Sequence, residues 1–313
     1  MDSDQQFYQR LEKKGVSRRD FMKYCTFLTA AMGLSASYIP KVAEVFAAPT
    51  QRPPVIWLHF GECTGCSEGM LRTMYPYADE LVLEILSVEY HETIMVAAGD
   101  QAEDQLKSSM KKHAGKFICV VEGSIATKYN GGYGKVGGRS FLEIAKEVVP
   151  QAAATIAIGS CASWGGIPAA KPNPGGYKGI GDALGMKVIN IPGCPPNPIN
   201  LVGTIVNYLL LGKLPEIDDM GRPSFAYGKT IHDQCPRRAH FENEEFVETF
   251  GSEEAALGYC LYKVGCRGPE TYNNCPVAKF NDGTSWPVEA GHPCIGCSEP
   301  DFWDKMTPFY EEF

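Results

Sequence analysis

Ten of the twelve cysteines in this 313-residue chain stand in patterns that suit an inorganic group. The first set is Cys63-x2-Cys66 with Cys161 and Cys194. The second begins at His232-x2-Cys235 and continues through Cys260-x5-Cys266, Cys275 and Cys294-x2-Cys297. Six cysteines and one histidine divide into a group of four donors and a group of three. Thiolate and imidazole bind zinc and iron–sulfur centres, and thiols can also pair as disulfides. A lone CxxC pair serves all three chemistries. Zinc favours closed sets of four, which a group of three does not supply, whereas iron–sulfur clusters accommodate both groupings. Disulfides and zinc remain open on residue pattern alone, with iron–sulfur clusters favoured.

The segments that must position these donors alternate between strand and helix. Apolar runs rich in β-branched residues at 55–60, 116–121, 154–158 and 187–191 read as strands, and 101–112 and 141–148 as crossover helices. Each strand near a cysteine runs directly into it: Gly61 to Gly65 after the first, Gly159-Ser160-Cys161 after the third, Pro192-Gly193-Cys194 after the fourth. In an open parallel sheet these carboxyl ends share one edge, the edge where ligands bind. Residues 48–220 are therefore expected to form an α/β, flavodoxin-like, doubly wound parallel-sheet domain. Residues 221–313 are rich in Gly, Pro and Asn and short of periodic runs. They are expected to form a smaller, loop-rich domain that needs covalent or metal staples.

Residues 1–47 read as an export leader. Ser17-Arg18-Arg19-Asp20-Phe21-Met22-Lys23 matches a twin-arginine address. An uncharged stretch follows from Tyr24 to Pro40, and Val45-Phe46-Ala47 offers small residues for cleavage. Cys25 lies in this leader and Cys119 inside a strand, and both read as ordinary thiols. Export by this route carries proteins already folded around cofactors, which again favours clusters. The net charge is −8, and about −10 once the leader's seven basic and five acidic residues are removed. That balance excludes nucleic acid as a partner and would attract a basic protein. No run reaches the roughly 18 apolar residues of a spanning helix.

With these motifs in place the sequence resembles the small, electron-transfer subunit of a nickel–iron hydrogenase. The resemblance rests on Glu62-Cys63-Thr64-Gly65-Cys66-Ser67-Glu68, Gly159-Ser160-Cys161, Ile191-Pro192-Gly193-Cys194-Pro195-Pro196-Asn197-Pro198, and the long run from His292 to Trp303. It extends from the twin-arginine segment to the last residues. It implies a proximal 4Fe–4S cluster held by Cys63, Cys66, Cys161 and Cys194, and a distal 4Fe–4S cluster held by His232, Cys235, Cys260 and Cys266. A medial 3Fe–4S cluster would be held by Cys275, Cys294 and Cys297, with Pro287 where a fourth thiolate might otherwise stand. No catalytic residue is expected on this chain, because the nickel–iron centre would belong to a separate large subunit. The implied acceptor is a multihaem c-type cytochrome, and the implied location is the periplasm, reached through the twin-arginine translocation machinery.

The remaining histidines, His59, His91, His113, His240 and His292, lack ligand spacing and are expected to be structural. Glu62 is either a contact residue or a loop acid, and Arg237 and Arg238 stand where an electron partner could bind. Oxygen-tolerant relatives carry extra cysteines near the proximal cluster, where this chain has Gly65 and Gly134, so an oxygen-sensitive enzyme is expected. Membrane-bound relatives add a C-terminal spanning helix, and the chain here stops at Glu311-Glu312-Phe313 without one, which implies a soluble protein. Two other readings remain: a cluster-bearing member of the respiratory quinone-reductase lineage, and an exported zinc- or disulfide-stapled binding module.

Overall fold

The computed structural model describes residues 3–47, 52–73, 78–80, 85–281 and 283–312. Five strands form its central sheet: β1 (Pro54–His59), β2 (Ser87–His91), β3 (Ile118–Glu122), β4 (Ala154–Ile158) and β5 (Ile189–Ile191). All pair in parallel, in the order β2-β1-β3-β4-β5. This is the flavodoxin-like order, and the winding reverses between β1 and β3. Four strands fall within two residues of the expected runs. The edge strand β2 was not among them: Glu89 and His91 interrupt its apolar character.

The helices used below are α1 (Ser3–Lys13), α2 (Arg18–Ala31), α3 (Ile39–Ala47), α4 (Gly65–Leu71), α5 (Asp100–Lys112), α6 (Phe141–Val148), α7 (Gly159–Trp164) and α8 (Pro198–Leu211). α5 and α6 cover one face, burying Leu106, Met110, Ile144 and Val148 against Ile56, Leu58 and Val121. α6 starts at a capping box in which Ser140 and Glu143 satisfy each other's backbone N–H. α8 covers the other face with Leu201, Val202, Ile205 and Val206. Its start is fixed by Asn197, which accepts the Ile199 N–H at 3.1 Å, and by Pro198 in the first turn; Gly212 ends it in the left-handed region at φ 65°. With both faces covered, β3 is buried along its whole length.

The segment expected to be a leader is helical. α2 and α3 pack on α8, and Phe21, Leu28, Val42 and Phe46 join the same core cluster as Trp57. From residue 221 onward, no helix among the described residues exceeds five residues. The apolar core here is small, centred on Ile231, Val247, Leu261, Val264, Trp286 and Val288. Polar bonds tie this part to the sheet. Arg222, 4% exposed, meets Asp218 at 2.7 Å and Glu299 at 3.1 Å, while Asn200 and Asn274 exchange amide bonds at 2.8 and 3.2 Å. No helix among the described residues is long and apolar enough to cross a membrane.

Candidate metal centres

The sheet brings Cys63, Cys66, Cys161 and Cys194 to one edge. Cys63 and Cys66 follow β1 in a tight turn in which Thr64 adopts φ 60° and α4 begins. Cys161 lies in α7 directly after β4, and Cys194 follows β5. The loops converge on Gly159, two residues before Cys161: both the Cys66 sulfur and the carbonyl of Gly193, the residue before Cys194, lie against it. Glycine is required around them. A Cβ at Gly159 (φ 85°) would strike the Cys66 sulfur, and one at Gly166 (φ 60°) would strike that of Cys161. The backbone is thus shaped to leave the space beside these sulfurs open.

A buried carboxylate holds the first loop. Glu122 ends β3, is 1% exposed, and accepts from the N–H of Cys66 (3.0 Å), the N–H of Ser67 (3.1 Å), the Ser67 hydroxyl (2.6 Å) and Trp57 Nε1 (3.2 Å). Sequence reasoning missed this role, because a single acid at a strand end looks the same whether solvated or buried. Ser160 was missed as well. It accepts the Gly193 N–H at 2.9 Å and donates to the Cys297 carbonyl, joining two sheet-edge loops to the C-terminal region.

The second set of donors falls into two groups. His232, Cys235, Cys260 and Cys266 line one cavity. Cys275, Cys294 and Cys297 line another of about 600 Å³, together with Pro287, His292 and Cys194. Cys194 of the sheet edge thus borders the group of three, and Ile231 and Val288 line both cavities. The three groups therefore form a series: sheet edge, middle cavity, outer cavity. Burial and then the Arg238 charge hold His232 below its ordinary value, which favours the neutral imidazole that binds metal.

All twelve cysteines are free thiols. Among the described residues, only His59, Glu62 and Glu122 have donor atoms all within 4.8 Å of one another; no cysteine group is that tight. One tetrahedral zinc ion, with bonds of about 2.3 Å, would hold its sulfurs about 3.8 Å apart. Wider spacing fits a body of several metal atoms. Burial also pushes the thiols up, Cys161 to about 12 and Cys260 and Cys297 to about 11. Such thiols stay protonated and inert until a cation stabilises the thiolate.

The other residues are where their chemistry suggests. Cys25 and Cys119 are fully buried. His59 and His91 lie in a buried chain of hydrogen bonds: Glu62 Oε1 to His59 Nδ1 at 3.2 Å, His59 Nε2 to His91 Nδ1 at 3.3 Å, and His91 Nε2 to the Ser67 hydroxyl at 3.3 Å. His113 pairs with Glu89 at 3.4 Å and His240 with Glu245 at 2.6 Å. Arg237 donates to the Tyr259 carbonyl at 2.7 Å, and Arg238 is exposed beside Glu242.

A doubly wound sheet with thiols gathered at its carboxyl edge, continued by two further donor groups in loops, defines an α/β protein that carries redox centres. Residues 227–310 match the family model for the C-terminal part of the NiFe/NiFeSe hydrogenase small subunit, and residues 63–208 match NADH ubiquinone oxidoreductase, 20 Kd subunit. The chain is 55% identical over 306 residues to the periplasmic [NiFe] hydrogenase small subunit 1 of Nitratidesulfovibrio vulgaris, covering 97% of this chain and 96% of that one. It is 51% identical over 303 residues to the quinone-reactive Ni/Fe-hydrogenase small chain of Wolinella succinogenes, covering 96% and 85%. The reduced, active Ni-Fe-Se hydrogenase from Desulfomicrobium baculatum superposes with a TM-score of 0.79 at 37% identity, over 84% of this chain and 100% of that chain. The chain belongs to the small-subunit family of nickel–iron hydrogenases. It is the electron-transfer subunit of an enzyme that acts as a complex with a large subunit, and proteins of this family carry iron–sulfur clusters. The match over residues 63–208 is shared with the respiratory lineage, and the match over 227–310 separates the chain from it.

Proposed function

We propose that the chain conducts electrons released from hydrogen at the large subunit's nickel–iron site to a multihaem c-type cytochrome. When bound, two 4Fe–4S clusters and one 3Fe–4S cluster supply the one-electron carriers. Cys63, Cys66, Cys161 and Cys194 would hold the proximal cluster, and Cys275, Cys294 and Cys297 the medial one. His232, Cys235, Cys260 and Cys266 would hold the distal one. The observation that carries this reading is the serial placement of the three donor groups: Cys194 borders the cavity of the group of three, and Ile231 and Val288 line both that cavity and the one holding His232, Cys235, Cys260 and Cys266. Pro287, beside the group of three, offers no fourth ligand. The chain's own residues hold the sulfurs in place: Glu122 anchors the Cys66 loop, and the Gly296 N–H donates to the Cys294 sulfur at 3.5 Å.

Residues 1–47 are read as a twin-arginine leader, 48–220 as the proximal-cluster domain and 221–313 as the domain of the other two clusters. This gives a periplasmic protein. The acidic balance favours a basic docking surface on the cytochrome. Gly65 and Gly134 in place of extra cysteines give an ordinary proximal cluster and an oxygen-sensitive enzyme. At Gly134 a side chain would run into the Phe141 ring. Steady hydrogen turnover in air would overturn that point.

Iron and acid-labile sulfide per chain test the whole reading. On the complex purified without air, corrected for the large subunit's iron, they should come to about 11 and about 12. Negligible iron, with zinc in its place, would refute it.

A further inference from the structure

We propose that residues 3–47 are a removable cover on the face where the large subunit docks, so that docking releases the leader and makes it available for export. This rests on the reading of these residues as a leader and on the large subunit as partner.

The covered face needs an occupant. α8 has no charged residue in Pro198–Leu211 and is buried on every side from Asn200 to Asn207, as befits a helix that belongs in an interior. In this chain part of that interior is supplied by the leader. Phe21, Leu28, Val42 and Phe46 are each 3% exposed or less and lie in one cluster with α8. Contact is direct: a Cβ at Gly203 would sit 3.6 Å from Leu28 Cδ1. Once the leader is cleaved, α8 loses this cover, and a mature protein must replace it.

The position of the cover identifies its replacement. A cavity of about 740 Å³ runs between α2 and the sheet edge, lined by Tyr24 and Phe27 on one side and by Gly65, Glu68 and Pro195 on the other. Cys63 and Cys194 are exposed at that same edge. Electrons from the large subunit enter at this first donor group, so the large subunit must approach here, and Tyr24 and Phe27 stand in its way. The two occupants exclude one another.

The address is displayed while the rest is held. Arg18 and Arg19 are exposed. Arg18 lies over the Tyr8 ring at 4.6 Å, and Ser17 caps α2 by accepting the Asp20 N–H at 3.2 Å. The arginines are therefore fixed on a folded helix, and a receptor that must engage the segment behind them needs α2 to leave its seat. If the covered form makes up about 99% of the free chain, the large subunit binds about 100-fold more weakly than to an uncovered chain. By linkage, docking raises the population of released leader by the same factor.

Hydrogen–deuterium exchange on the full-length chain, alone and in complex with the large subunit, tests this. In the free chain, amides of α2, α3 and α8 should all be protected. In the complex, α8 should stay protected while α2 and α3 exchange at least tenfold faster. Leu28→Asp places a carboxylate in an apolar seat; it should speed α2 exchange in the free chain and tighten large-subunit binding about tenfold or more. Val42→Ala is the milder variant should Leu28→Asp not fold, and should change both quantities in the same direction. Unchanged α2 and α3 protection in a complex that does form would overturn the cover while leaving the hydrogenase reading intact. Loss of α8 protection in the complex, unaltered affinity in a variant whose α2 is released, or a homodimer formed in place of the heterodimer would overturn it too. Failure of the full chain to bind any large subunit would remove the underlying reading, and the cover with it.

Discussion

Replacing Glu122 by alanine and by glutamine separates the acceptors it provides. In the structure one carboxylate oxygen accepts from Cys66 N–H at 3.0 Å and Ser67 N–H at 3.3 Å, while the other accepts from Ser67 N–H at 3.1 Å, the Ser67 hydroxyl at 2.6 Å and Trp57 Nε1 at 3.2 Å. Alanine strands three N–H donors; the hydroxyl retains His91 Nε2 at 3.3 Å. Each stranded donor costs about 1–3 kcal/mol, and with water entering the space the total is on the order of 3–6 kcal/mol. Glutamine keeps a carbonyl for Cys66 and Ser67 and turns its amide toward the Ser67 hydroxyl. Only the indole N–H is then left alone, at about 1–3 kcal/mol. At roughly 2 °C per kcal/mol for a chain of this size, glutamine should lower the unfolding midpoint by about 2–6 °C and alanine by about 6–12 °C. Scanning calorimetry of the purified heterodimer measures both, and iron per chain should fall further in the alanine variant because the CxxC loop loses its anchor. Equal shifts in the two variants, or unchanged midpoints and iron in both, would refute this account of the loop.

Three further outcomes are expected. Arg222→Met leaves Glu299 buried without its cation and should cost about 3–5 kcal/mol, part of which the double variant with Glu299→Gln should recover; equal midpoints for single and double variants would count against the ion pair. Burial, with a smaller contribution from His59, holds His91 down to about 3 against an ordinary 6.5. The folded state therefore binds fewer protons than the unfolded one between those values. Stability from this group is complete above pH 6.5 and declines as pH falls toward 3, by up to about 1.4 kcal/mol per pH unit. His91→Gln should flatten that decline, and an acid profile identical to the parent's would contradict the assignment. Pro287→Cys offers a thiolate to the group of three, so iron per chain should rise by about one; an unchanged count would argue against Pro287 facing that cluster.

Much of this was legible because the informative residues are scarce types at fixed spacing. Cysteines directly after apolar strands can only converge if the sheet is parallel, so the first donor group followed from the strand pattern. β2 escaped notice because an edge strand needs only one well-buried face, and Glu89 and His91 mask its period. Glu122 and Ser160 escaped for a different reason. Their importance lies in what faces them across 55 and 137 positions of sequence, and no local pattern encodes such a partner. The packing of α2 and α3 on α8 was equally hidden, since an apolar leader and an amphipathic helix share a composition.

The two halves of the donor system also differ in when they can exist. Cys63 and Cys194 meet only after β1, β3, β4 and β5 have paired across long stretches of chain, and that sheet is supported by apolar core on both faces. The loops beyond residue 221 have only a small core of their own. Metal held by the donor groups proposed there would contribute directly to their folding free energy. Stripping the metal should accordingly leave residues 52–211 resistant to limited proteolysis while cuts appear between 221 and 312; uniform resistance would argue otherwise. On the proposed cluster assignment biogenesis has a direction: the first site would be built by folding and filled afterwards, whereas the second and third would be filled in order to fold.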